Sequence, residues 1–137
     1  MRNLFQSGQF VLNSGDVSLW KIECDALTDS DIETIASMLV PLLWSFSHVE
    51  GVPRGGERLA EALRVYQTPG NGGLLIVDDV LTTGGSMERQ RRCRAGVQGA
   101  VIFARQRPKS WITPLFQMPT SRKKPRLHRL FNAEIAP

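Results

Sequence analysis

The run LLIVDDVLTTGGSM, from Leu74 to Met87, constrains the fold more than any other part of the chain. Leu74, Leu75, Ile76 and Val77 are four apolar residues in succession. They suit a strand covered on both faces, as inside a parallel sheet. Asp78 and Asp79 follow at its carboxyl end, where open α/β sheets bind ligands. Thr82, Thr83, Gly84, Gly85 and Ser86 then offer backbone N–H groups and hydroxyls where a helix begins, which suits a phosphate. Carboxylates for a sugar's hydroxyls, next to a phosphate cradle, point to a sugar phosphate lying across the strand end. The competing explanation is local: aspartates cap turn N–H groups and glycines permit positive φ. That explanation covers the two aspartates well and the whole ordered run poorly.

The rest of the chain reads as alternating strands and helices. Gln9 to Asn13 and Ser18 to Glu23 are short strands around a Ser14-Gly15-Asp16 turn. Asp29 to Phe46 has helical periodicity, with Thr28 or Asp29 as cap and Ile32, Ile35, Ala36, Leu39, Leu42 and Leu43 as its apolar face. Pro41 calls for a kink or an early end. A strand at His48 to Val52 precedes a helix over Gly56 to Tyr66, with Leu59, Ala60, Leu63 and Val65 inward. Gln67 to Gly73 is a loop. A helix over Ser86 to Ala95 closes on Gly96, and Ala100 to Ala104 is another buried strand. Beyond Pro108 the pattern is hard to read, and Trp111 to Phe116 suits either core packing or a dimer contact. Such alternation predicts an α/β fold with a mostly parallel sheet.

Right-handed crossovers put the loops that precede helices at one edge of such a sheet. The loop Gly51-Val52-Pro53-Arg54-Gly55-Gly56 therefore joins the Leu74 run in a single site. Gly55 and Gly56 allow close backbone approach to a ligand, and Arg54 adds a positive fork suited to phosphate oxygens. Neither GxGxxG nor GxxxxGK[ST] occurs, which argues against dinucleotide and P-loop sites.

These residues resemble a known family. LLIVDDVLTTGGS is similar to the phosphoribosyl pyrophosphate (PRPP) signature of the type I phosphoribosyltransferases, and GVPRGGERLAEAL to their pyrophosphate loop. The resemblance implies a Rossmann-like parallel-sheet core with a small N-terminal β hood. It implies Asp78 and Asp79 as catalytic residues facing the ribose, and Thr82 to Ser86 on the 5-phosphate. Arg54, Gly55 and Gly56 would hold pyrophosphate, and Mg²⁺ would be held mainly through PRPP. Phe10 to Ser18, FVLNSGDVS, resembles the N-terminal segment of the orotate branch, and Ala104-Arg105-Gln106 its D-R-Q step. Trp20, Lys21 and Arg105 are then the base-binding candidates. Trp20 also suits an ordinary core position, and Arg105 an ordinary strand end.

The departures are informative. Val17 stands where that branch carries a lysine, and Ala104 replaces an acid. Only Gln67 to Gly73 separates the second helix from the central strand, where the family carries a flexible basic hairpin. No lysine lies between Lys21 and Lys109. The expected organisation is a hood segment at 1–28, a core at 29–106 and a basic extension at 107–137.

Composition narrows the alternatives. The chain has 137 residues, 42% of them hydrophobic, which fits one globular domain. No apolar stretch is long enough to span a bilayer and no signal pattern opens the chain, so the expectation is a cytoplasmic protein. Two cysteines make no disulfide framework. The formal charge of +4 is uneven: residues 1–50 are acidic and residues 100–137 strongly basic. The expectation is therefore Mg²⁺-dependent transfer of ribose 5-phosphate from PRPP to a nucleobase, foremost orotate, by a homodimer. One rival is a PRPP or nucleotide-binding regulator without catalysis. The other is an RNA-binding protein using Arg122 to Arg129, although a solvated basic tail suits that segment better.

Overall fold

The computed structural model describes residues 2–12, 14–70 and 72–120. The chain opens with an antiparallel hairpin, β1 (Phe5–Val11) and β2 (Val17–Ile22), paired from Phe5↔Ile22 to Val11↔Val17 with an irregularity between Ser7 and Phe10. The first strand therefore begins four residues before the expected Gln9. Pairing with β2, rather than the local pattern, extends it.

Helix α1 (Asp29–Leu39) starts at a reciprocal capping box. Asp31 N donates to Thr28 Oγ1 (3.0 Å), and Thr28 N donates to the Asp31 carboxylate (2.8 Å), which lowers the carboxyl's pKa. Ile32, Ile35, Ala36 and Leu39 are buried on its inner face. The helix does not reach Phe46. It tightens to a 3₁₀ turn over Val40–Leu42, with Pro41 in that turn, because proline has no N–H to continue the ladder. Leu42 consequently lies exposed, against the expectation that it joins the apolar face.

Strand β3 (Phe46–Gly51) leads into α2 (Glu57–Leu63), which ends in a 3₁₀ turn over Arg64–Tyr66. Leu59, Ala60 and Leu63 are buried, but Val65 sits in that turn and is exposed. Strand β4 (Gly73–Leu81) contains the apolar run and both aspartates. Helix α3 (Gly85–Arg91) ends before the expected Ala95, because Arg92 and Cys93 take left-handed φ values of 55° and 57°. Strands β5 (Gln98–Ala104) and β6 (Ile112–Gln117) complete the elements.

The four strands form one parallel sheet in the order β3-β4-β5-β6. Leu75, Val77, Ala100 and Ile102 pack on one side against α1 and α2. Ile76, Val101 and Ala104 pack on the other with Met87 of α3 and Ile112. A strand buried on both faces needs apolar residues in succession, which is why Leu75, Ile76 and Val77 are all fully buried.

The segment beyond Pro108 supplies an edge strand of the sheet, so the core extends past Gln106. The connection Arg105–Trp111 is irregular and ends in a turn, without the usual crossover helix. Its ends are pinned where Met118 N donates to Ala104 O (2.8 Å) and Gly99 N donates to Trp111 O (2.7 Å). No β-pattern alone marks Trp111 to Phe116, because Pro114 interrupts it and a lone edge strand alternates weakly. The basic run Arg122 to Arg129 lies outside the described residues.

Candidate functional site

Strand β4 delivers two neighbouring carboxylates to the carboxyl edge of the sheet. Asp78 is the buried one, 8% exposed, and Asp79 is half-buried. Asp79 N donates to Asp78 Oδ1 (2.8 Å), and Val80 N donates to Asp79 Oδ1 (2.7 Å). Burial pushes the Asp78 carboxyl up to about 8, with the negative charge of Asp79 and a side-chain hydrogen bond to it adding to the rise. Around neutral pH the buried Asp78 carboxyl therefore favours its protonated form. Such a pair can accept from one sugar hydroxyl and donate to another.

The loop after β3 packs directly on this pair. A Cβ on Gly55 would lie 2.6 Å from Asp79 Cγ, and one on Gly56 would lie 2.7 Å from Val52 N and also strike Val77 O. Val52 N donates to Val77 O (2.8 Å), and Gly56 N donates to Val52 O (2.8 Å). Only glycine allows this backbone to reach β4 so closely. Arg54 is exposed at the loop's tip, and the Pro53–Arg54 peptide is cis.

The Thr82–Ser86 turn follows β4 at the same edge. Gly84 takes φ 89°, a left-handed value open to glycine, and precedes α3 without a side-chain cap. Gly85 N donates to Thr83 Oγ1 (3.3 Å), and the Arg89 guanidinium donates to Ser86 Oγ (3.3 Å). The two loops and the acidic pair thus converge from β3 and β4, as parallel connections require.

The N-terminal hairpin meets the sheet at the end of β5. Arg105 stacks on the Trp20 ring, its guanidinium carbon 3.5 Å from the centroid. It also donates to Trp20 O (3.1 Å) and Ser18 Oγ (2.6 Å). Phe5 meets Phe103 edge-on at 5.9 Å, and Phe103 stacks on Phe116 at 5.4 Å. Trp20 and Arg105 are therefore brought together. Lys21 is not, since alternation along β2 turns it away; its Nζ lies 3.4 Å from Glu23 and 5.0 Å from the Phe10 centroid.

Two solved structures share this architecture. The orotate phosphoribosyltransferase of Aeropyrum pernix superposes with a TM-score of 0.67 at 23% identity, covering 83% of this chain and 88% of its own. This is the type I phosphoribosyltransferase fold. The orotate phosphoribosyltransferase of Mycobacterium tuberculosis, solved with Fe(III) dicitrate, gives 0.58 at 16% identity over 83% of this chain and 89% of that one. At these identities the likeness is one of fold. In sequence, neither a protein-family model nor a curated relative matches.

Within this phosphoribosyltransferase fold, three residues near the site make contacts that the sequence did not spell out. Ser18, the last residue of FVLNSGDVS, is the acceptor for Arg105; its place in that segment was the available signal. Gly51 packs its Cα against Gly56, where a Cβ would lie 2.6 Å from Gly56 O. Cys24 is buried, and burial followed by the charge of Asp79 raises its thiol pKa. A lone cysteine in a polar stretch carries no such sign. Among the described residues no group of three His, Cys, Asp or Glu side chains is arranged to hold a metal. None of the described helices is long and apolar enough to cross a membrane.

Proposed function

We propose that this chain binds PRPP across the carboxyl end of β4 and transfers its ribose 5-phosphate to a nucleobase, foremost orotate, releasing pyrophosphate. The observation that carries this reading is the contact of Gly55 with the Asp79 carboxylate. It sets a positively tipped glycine loop and a threonine–glycine turn on either side of an acidic pair. That spacing suits a sugar with phosphates at both ends.

In this reading Asp79 and Asp78 receive the ribose hydroxyls, and the charge of Asp79 stabilises positive character as the sugar's bond to pyrophosphate breaks. A base nitrogen then bonds to the same carbon. Thr82 to Ser86 hold the 5-phosphate, and Arg54 with the Gly55 and Gly56 backbone holds pyrophosphate. The donor set fits Mg²⁺ carried by substrate oxygens, with Asp79 the accessible carboxylate; an ion there would offset the charge of the leaving pyrophosphate. Trp20 and Arg105 form the base side, Arg105 being suited to a base carboxylate, whereas Lys21 faces elsewhere.

Calorimetry with PRPP and Mg²⁺ tests the site: binding is expected in the wild type and lost in the folded Asp78→Asn/Asp79→Asn double variant. Unchanged binding in that variant refutes the reading. Pyrophosphate release with PRPP, Mg²⁺ and each common nucleobase tests the transfer. A homodimer in the cytoplasm belongs to the same proposal, and sedimentation tests the dimer.

A regulator that binds PRPP or a nucleotide without turnover is the second reading. It is favoured by the short link from the 3₁₀ turn at Tyr66 to Gly73, which leaves no hairpin to close over the reacting centre. PRPP binding with no turnover on any base would select it.

A further inference from the structure

A cavity of about 350 Å³ lies beside the Thr82–Ser86 turn. One wall is Thr83, Gly84 and Gly85; the other is Arg107, Pro108 and Lys109 from the irregular β5–β6 connection. That connection has no helix, and it places Arg107 and Lys109 in the lining of the same cavity as the phosphate turn. We infer that Arg107 is an anion-binding residue, completing the subsite for the phosphate of the sugar phosphate. This rests on the PRPP reading and adds to it a residue that no motif in the sequence marks.

The charges around the cavity single out Arg107. Glu88 also lines it, and its carboxylate would oppose an anion. That carboxylate is already occupied: it accepts from Trp111 Nε1 (2.9 Å), lies 3.4 Å from Lys109 Nζ and 3.9 Å from Arg91. The Trp111 hydrogen bond foremost, with Lys109 and Arg91 adding, lowers its pKa. Lys109 is thereby committed to Glu88. Arg107 is exposed and makes no ion pair or side-chain hydrogen bond among the described residues. The other cations near the site are differently placed. Arg105 is held by Trp20 and Ser18, Arg89 by Ser86, and Arg54 stands on the opposite loop. Arg89 also lies beside Gly85, but among the cavity's own lining Arg107 is the guanidinium that no described residue occupies, so a phosphate entering the cavity finds its free fork there.

The test uses two ligands that report on the two ends of the site, ribose 5-phosphate and Mg²⁺–pyrophosphate, titrated calorimetrically into the full chain. Arg107→Ala is expected to weaken ribose 5-phosphate about tenfold, the worth of one charge-assisted hydrogen bond. Mg²⁺–pyrophosphate affinity stays unchanged, which also shows that the variant is folded. Arg107→Lys recovers part of the loss. Wild-type affinity for ribose 5-phosphate in Arg107→Ala, or equal weakening of both ligands, overturns the assignment. A wild-type protein that binds neither PRPP nor ribose 5-phosphate overturns the PRPP reading itself, and this inference with it.

Discussion

Replacing Asp78 by asparagine should change how the protein's stability depends on pH. Asp78 carries its proton in the folded state up to about pH 8, against an ordinary value of 3.8. Between those values the folded chain holds a proton that the unfolded chain has released, so raising the pH favours unfolding. The loss begins near the unfolded value and is complete once the pH passes the folded one. Each unit of displacement is worth about 1.4 kcal/mol, which sets a ceiling of roughly 6 kcal/mol across the window. Water reaching the rim of a side chain 8% exposed lowers the realised figure, and about 2–4 kcal/mol is expected. Asparagine has the shape of the neutral acid and no proton to lose. Asp78→Asn should therefore match the wild type near pH 4 and exceed it by that amount near pH 9. The acids held below their ordinary range, Asp31, Glu50 and Glu88, do not interfere. Their stabilising contributions are complete above the unfolded value and fade only as pH falls through the folded one. Urea midpoints taken from pH 4 to 9 for both proteins measure the difference directly. Parallel profiles would refute the buried, protonated Asp78 and the division of labour within the acidic pair.

Two further outcomes follow from the same geometry. Gly55→Ala places its methyl against a movable carboxylate, and Gly56→Ala places it against fixed backbone at Val77 and Val52. The first should weaken PRPP binding at least about tenfold with little change in urea midpoint, and the second should cost about 2 kcal/mol or more of stability. Arg105→Ala removes two hydrogen bonds and the stack on Trp20, which with the Phe5–Phe103 contact hold the hairpin to the sheet. Amide exchange should rise in β1 and β2 by about tenfold while β4 and β5 keep their protection, since the Arg105 side chain anchors the hairpin and leaves the sheet's own ladder untouched.

The central strand and its flanking loops were legible because their chemistry is local. A doubly buried strand must be apolar at consecutive positions, and a turn that approaches a ligand closely must use glycine. Leu74 to Ser86 and Gly51 to Gly56 state both requirements in order. The capping box at Thr28 and the break at Pro41 are equally local, and the sequence anticipated a cap and an interruption at those places. The exposure of Leu42 and Val65 was hidden, because periodicity continues through a 3₁₀ turn while the face does not.

By itself, then, the sequence determined the α/β class, the acidic pair and the two loops that flank it. Their determinants lie within a few residues of one another. Tertiary structure alone decided three things: that Gly55 rests on Asp79, that Arg105 is held by Trp20 and Ser18, and that the segment after Pro108 becomes β6. Each joins residues far apart in the chain, and Arg105 and Ser18 are 87 positions apart. Contacts across such distances depend on sheet register and strand order, which no short window of sequence contains. The same holds for the proton on Asp78: the pair of aspartates is written in the sequence, but only burial in the folded chain raises the Asp78 carboxyl.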